Sequence, residues 1–170
     1  MNDYDPPYAI ARTTTEVMLY LDLTACPDCG SDAAEWQHDL HVGALRYVGA
    51  CARCGSEREY LFSPPYQGFL DDGATFGGPE PSELVDAGQW LAVADWIAGE
   101  VPADDRSEAA RAVMAYARQA VQEVLKFVPP AGDAVPDEAF WTDAGRAERE
   151  RDPGRFRLGR LLAVRDSYSD

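Results

Sequence analysis

Lysine is almost missing from this chain: Lys126 is the only one among 15 basic residues, the rest being arginine. A Gly-rich phosphate loop that relies on a lysine is thereby excluded, since Lys126 sits in a helical pattern and follows no such loop. Bases as a class are scarce, 15 against 30 acids, and the formal charge over 170 residues is −15. Affinity that rests on neutralising phosphates needs segregated positive charge, so neither nucleic acid nor a membrane surface is expected as a partner. Histidine occurs twice, as His38 and His41, and any nucleophile-base pair built on imidazole has only these two to use. No apolar run approaches the ~20 residues that cross a bilayer; the most apolar stretch, 90–98, contains Asp95. The first residues are acidic and lead into Pro6-Pro7, without the basic-then-apolar order of a secretion leader, so a cytoplasmic location is expected. Neither an internal repeat nor a low-complexity tract is present.

What is there suits one compact domain or two small ones: 46% hydrophobic and 26% charged positions. The acid excess is uneven. Residues 1–70 carry ten acids and four bases, 71–110 ten and one, 111–170 ten and ten. Residues 1–13 lack periodicity and read as an extended arm. Over residues 14–23, Val17, Leu19, Leu21 and Leu23 alternate with Met18, Tyr20 and Asp22, which predicts a strand. Strands are also predicted at 35–41, 45–50 and 57–62, the first two of these joined through Val42-Gly43 as a hairpin. A Gly- and Pro-rich acidic loop over 64–85 marks the boundary, beyond which the period changes to 3.6. Asp86 with Gln89 reads as a capping box opening a helix to about Ala98, and Asp104 or Asp105 as the cap of a longer helix to about Phe127. A short helix over 137–151 follows, and Pro153 suits the first turn of the last. The expected class is α+β: an antiparallel N-terminal layer over 14–63 packed on a small helical bundle over 86–170.

All four cysteines come as two pairs, Cys26-Pro27-Asp28-Cys29-Gly30 and Cys51-Ala52-Arg53-Cys54-Gly55, with 21 residues between Cys29 and Cys51. Two residues between thiolates let a tight turn aim both sulfurs at one ion, and the glycine after each second cysteine permits the positive φ that the turn needs. Without a leader, disulfides are disfavoured; a redox pair would need Cys26 and Cys29 at the start of a helix, whereas Gly30-Ser31-Asp32 follow. The two CxxCG knuckles resemble the zinc ribbon over about residues 14–63. That resemblance implies Zn²⁺ on Cys26, Cys29, Cys51 and Cys54, with a structural role, since four thiolates leave no position open to water or substrate. Arg46, Arg53 and Arg58 are placed to offset part of the site's negative charge.

His38 and His41 lie between the knuckles, an order that resembles nucleases of the recombination endonuclease VII type, in which paired histidines hold a second, catalytic metal. The spacing of acids and histidines differs, and Gly55 stands where that family has Asn. Seven arginines between Arg146 and Arg165 alternate with acids, which predicts local ion pairs or a clamp onto the chain's own acidic loop. The economical expectation is a non-enzymatic, zinc-stabilised protein-interaction module. Asp71, Asp72, Glu80 and Glu83 would receive a basic protein partner, in the way that immunity proteins neutralise a basic effector. The metal-dependent nuclease is the alternative, and a zinc-ribbon transcription accessory comes third.

Overall fold

The structure, a computed structural model, describes residues 6–65 and 76–169. Asp71 and Asp72 lie outside the described residues. Contacts divide the chain into two compact units, residues 1–78 with 82–84 and residues 79–81 with 85–170. The described residues combine five helices with one three-stranded antiparallel sheet of order β1-β2-β3. None of the described helices is long and apolar enough to cross a membrane.

In the first unit, residues Thr14–Leu23 form helix α1 and not the expected strand. The residues that alternate also satisfy a helical stripe, for Val17 and Leu21 are four apart and both fully buried. Capping decides between the two patterns. The Thr13 side chain accepts the Glu16 N–H at 3.1 Å and donates to the Phe76 carbonyl at 2.7 Å. The buried Glu16 carboxylate accepts the Arg12 backbone N–H at 2.8 Å, the Arg12 guanidinium at 2.6 Å and the Ser82 hydroxyl at 2.5 Å. The Arg12–Glu16 pair and the Thr13 cap together fix the start of α1. The arm runs beside the end of β3 through Ile10, with Ala11 N–H donating to Ser63 O and Ser63 N–H to Ala9 O, both at 3.0 Å.

The strands follow the predicted pattern: β1 (Ala34–His41), β2 (Ala44–Cys51) and β3 (Glu57–Phe62). Register sets the two faces. Trp36, Gly49 and Arg58 lie opposite one another, as do His38, Tyr47 and Tyr60, and this face carries the aromatic cluster. Tyr20 of α1 meets Tyr60 and Phe62 edge-on, with ring centroids 5.9 and 5.6 Å apart. The other face is polar, where Arg46 bridges Asp39 at 3.3 Å and Glu59 at 2.5 Å.

The hairpin turn between β1 and β2 has φ of 44° at Val42 and 78° at Gly43. A two-residue turn with both φ positive matches strand twist but favours Asn or Gly at its first position. Val42 is β-branched and 94% exposed, so it gains no burial in exchange for the strain. Val42→Asn is therefore expected to raise stability by about 1 kcal/mol, read as a shifted denaturation midpoint with unchanged slope.

The second unit contains α2 (Ala87–Gly99), α3 (Glu108–Leu125), α4 (Asp143–Arg151) and α5 (Leu158–Ser167). The Asp86–Gln89 capping box is present. At α3 the expected cap is displaced: Ser107 caps the helix by accepting the Ala110 N–H at 3.1 Å, while Asp105 accepts the Ser107 N–H at 2.8 Å. The predicted helix over 137–151 is a 3-10 turn at Asp137–Ala139 followed by α4, and Pro153 opens a second 3-10 turn, Pro153–Phe156, ahead of α5. α2 packs on α3 and α4, and α3 packs on α5. The core holds Trp90, Leu91, Val121, Val124, Phe156 and Leu161, with Phe140 edge-on to Phe156 at 4.8 Å. The arginine-rich segment forms ion pairs within this unit: Arg155 with Asp95 at 2.7 Å and with Glu148 at 3.2 Å, and Arg146 with Asp143 at 2.5 Å.

Candidate metal centre

Each knuckle is a turn closed by its own backbone. Gly30 N–H donates to Cys26 O at 2.8 Å and Cys26 N–H to Ser31 O at 2.8 Å; Gly55 N–H donates to Cys51 O at 2.8 Å and Cys51 N–H to Ser56 O at 2.9 Å. Two stretches of different sequence thus fold alike. Gly30 and Gly55 have φ of 74° and 78°, a region that a side chain would disfavour. The first knuckle lies between α1 and β1; in the second, Cys51 ends β2 and Cys54 precedes β3. Pairing of β1 with β2 sets Ala34 opposite Cys51, which carries one knuckle to the other.

The ligand atoms of all four cysteines lie within 4.8 Å of one another. Cys29 and Cys51 sulfurs are 3.5 Å apart, and Cys26 and Cys54 sulfurs 3.7 Å. These separations are far beyond a disulfide bond, and all four thiols are free. They match the ~3.8 Å edge of a tetrahedron whose centre is ~2.3 Å from each sulfur. Four cysteines are thus positioned to bind one metal ion, and the soft donor set fits a thiophilic divalent cation.

Electrostatics within the cluster agree with that geometry. Cys51 is lowered to about 6, chiefly by hydrogen bonds from the backbone N–H groups of Cys54 and Arg53. Cys54 is lowered by the Ser56 side chain and backbone. At Cys29 the Ser31 backbone N–H pulls downward, but burial and the hydrogen bonds with Cys51, Cys54 and Cys26 outweigh it and push the thiol up to about 12. Four crowded sulfurs cannot all ionise unaided, whereas a divalent cation at their centre would let them. The Ser56 hydroxyl proton goes to Asp28, which ties the second knuckle to the first. Ser31 and Ser56 escaped the sequence reading although both knuckles continue as CxxCGS, and that repeated serine was the available signal.

Two of the arginines expected to offset the site's charge, Arg46 and Arg58, make other contacts. Arg46 bonds Asp39 and Glu59, while Arg58 donates to the Thr24 carbonyl at 2.8 Å and lies 4.8 Å over the Trp36 ring. The histidines are not brought together. Three positions apart on β1, they project to opposite faces: His38 stacks on Tyr47 at 5.2 Å, and His41 sits on the polar face opposite Ala44. Among the described residues the four cysteines are the one cluster of His, Cys, Asp and Glu able to hold an ion. Glu80 and Glu83 are exposed, and Glu83 accepts the Ile10 N–H at 2.8 Å. The chain matches no protein-family model, no curated protein and no solved structure.

Proposed function

We propose that the chain is a zinc-stabilised, non-enzymatic protein-interaction module. The closed tetra-cysteine cluster carries this reading: four sulfurs at tetrahedral spacing leave no coordination position for substrate, so the ion's role is to hold knuckles and sheet together. Its resemblance to a zinc ribbon rests on the two CxxCG knuckles and the antiparallel strands between and after them. Elemental analysis tests the site. One zinc per chain in a colourless protein is expected; iron in equal amount, with its charge-transfer colour, would reassign the metal, and neither metal would overturn the reading.

The partner class follows from charge. Residues 71–110 hold ten acids and one base; among the described ones Asp86 is buried and Asp95 pairs with Arg155, while Glu80, Glu83, Glu100, Asp104 and Glu108 are exposed. Such a surface favours a partner rich in Arg or Lys, as an immunity-type protein would meet. With a basic partner in hand, Glu80→Gln and Glu83→Gln combined with Asn at Asp71 and Asp72 should slow association without changing metal content. The rate should also fall with salt as the Debye length shrinks from ~10 Å at 0.1 M to ~3 Å at 1 M. Rates insensitive to both would remove the acidic surface from the reading. A nuclease role for His38 and His41 predicts plasmid cutting with Mg²⁺ or Mn²⁺ that a double alanine variant loses; no cutting by either protein is expected, because the two imidazoles face apart.

A further inference from the structure

Within the helical unit lies a cavity of about 600 Å³, formed by the ends of α2 and α5 and by one side of α3. Its size falls within the range of small-molecule sites. Three arginines line it, Arg106, Arg111 and Arg118. None of the three forms an ion pair among the described residues, in a chain that carries 30 acids for 15 bases. By contrast, six of the seven arginines from Arg146 to Arg165 are paired with carboxylates.

Two of the three are held by backbone carbonyls, and of these Arg106 also lies close enough to the Asp105 carboxylate to help hold it ionised. Arg106 Nη1 donates to the carbonyls of Ala103 at 2.9 Å and Asp105 at 3.1 Å, and Arg111 Nη1 donates to the Arg106 carbonyl at 3.1 Å. Arg118 Nε is buried and has no hydrogen-bond partner. A buried guanidinium nitrogen left unpaired is costly, and three like charges around one cavity repel one another. Seven residues apart on α3, Arg111 and Arg118 share a helix face, with Met114 between them. That face therefore offers two guanidinium groups beside an apolar side chain.

We propose that this cavity binds a small organic oxyanion, a molecule with a phosphate or carboxylate group on a compact apolar body. Arg118 and Arg111 grip the anionic group by the forked N–H geometry that suits both oxyanions. Met114 and Val101 pack on the body, while the Asp105 carboxylate on the same wall disfavours a second negative group there. The site lies wholly within one unit and owes nothing to the cysteine cluster, so it stands or falls apart from the metal reading.

Titration calorimetry on the full metal-loaded chain provides the test, with inorganic phosphate and, separately, succinate as probes and chloride balancing ionic strength. One saturable site per chain is expected for at least one probe; a response to phosphate alone assigns a phosphate ester, and to succinate alone a carboxylate. Arg118→Gln should weaken binding about tenfold or more. Arg111→Gln, at an exposed position, should do the same with its melting temperature measured alongside, whereas Arg160→Gln, outside the cavity, should leave affinity unchanged. Absence of saturable binding with both probes overturns the proposal. So does an Arg118→Gln protein that loses thermal stability but keeps its affinity, because the arginine would then serve only the carbonyl ends of α2 and α5.

Discussion

Cys51→Ser is expected to abolish stoichiometric metal binding and to unfold the sheet. Cys51 ends β2, is 2% exposed, and shares the cluster with sulfurs from the α1–β1 connection, so its loss opens the coordination shell and frees both knuckles together. Serine offers a harder, shorter ligand that does not replace a thiolate. Apparent binding free energies of ~10–16 kcal/mol for structural zinc in small peptides exceed what a three-stranded sheet holds in reserve, so chelation should act as the substitution does. Trp36 is the only tryptophan of the first unit, and its emission should shift to the red. The helical signal of α2 to α5 should persist. Acid should reproduce the result, since each proton taken up by a sulfur competes with the ion and affinity falls as pH falls. A chelated protein that keeps its strands would show the metal to be dispensable.

Asp86→Ala should be the most damaging change in the second unit, costing on the order of 4 kcal/mol. The carboxylate is fully buried and serves two helices. One oxygen accepts the Gln89 N–H at 2.9 Å and caps α2; the other accepts the N–H and hydroxyl of Thr142 at 2.8 and 2.7 Å, and Thr142 is the cap of α4. Both helix N-termini thus point positive ends at one negative group. Alanine removes one cap and leaves the donors of the other buried and unpaired. Asp86→Asn should recover part of the loss, because its amide presents an acceptor to only one of the two helices. Gly145→Ala should approach the alanine variant in effect, since its new methyl group would run into the Asp86 carboxylate. Asp143→Asn, which removes the charge of a fully exposed carboxylate paired with a half-exposed Arg146, should leave stability close to the parent's. Denaturation followed by far-UV circular dichroism ranks the four, and an Asp86→Ala protein as stable as Asp143→Asn would refute the shared cap.

What the sequence made legible was local. Alternation and the Val42-Gly43 turn located the three strands and hairpin, because register in a short meander is set by adjacent residues. The cysteines located the ion site for the same reason: each knuckle is closed by hydrogen bonds within six residues. The strand expected over α1 failed because Val17 and Leu21 fit both periods, and the deciding Thr13-x-x-Glu16 pattern was passed over. Burial of Glu16 depends on Ser82, and the second role of Asp86 on Thr142, 66 and 56 residues away, and no window along the chain spans such pairs. The arginine cavity was hidden likewise, for the residues that wall it come from three separate helices and their flanks.

The crossing of α2 and α4 also bears on descent. Gly88 lies so close to the Gly145 backbone that neither position admits a side chain, and Gly145 in turn lies against Asp86. A side chain added at Gly88 or Gly145 collides, and loss of the Asp86 carboxylate strands the Thr142 donors, so a change at one of these positions constrains the others. Asp86, Gly88, Thr142 and Gly145 are therefore expected to change together or not at all, which an alignment of homologues of the helical unit tests. The paired signature D-x-G and T-x-x-G, far apart in sequence and touching in space, is what this close crossing asks of any chain that keeps it.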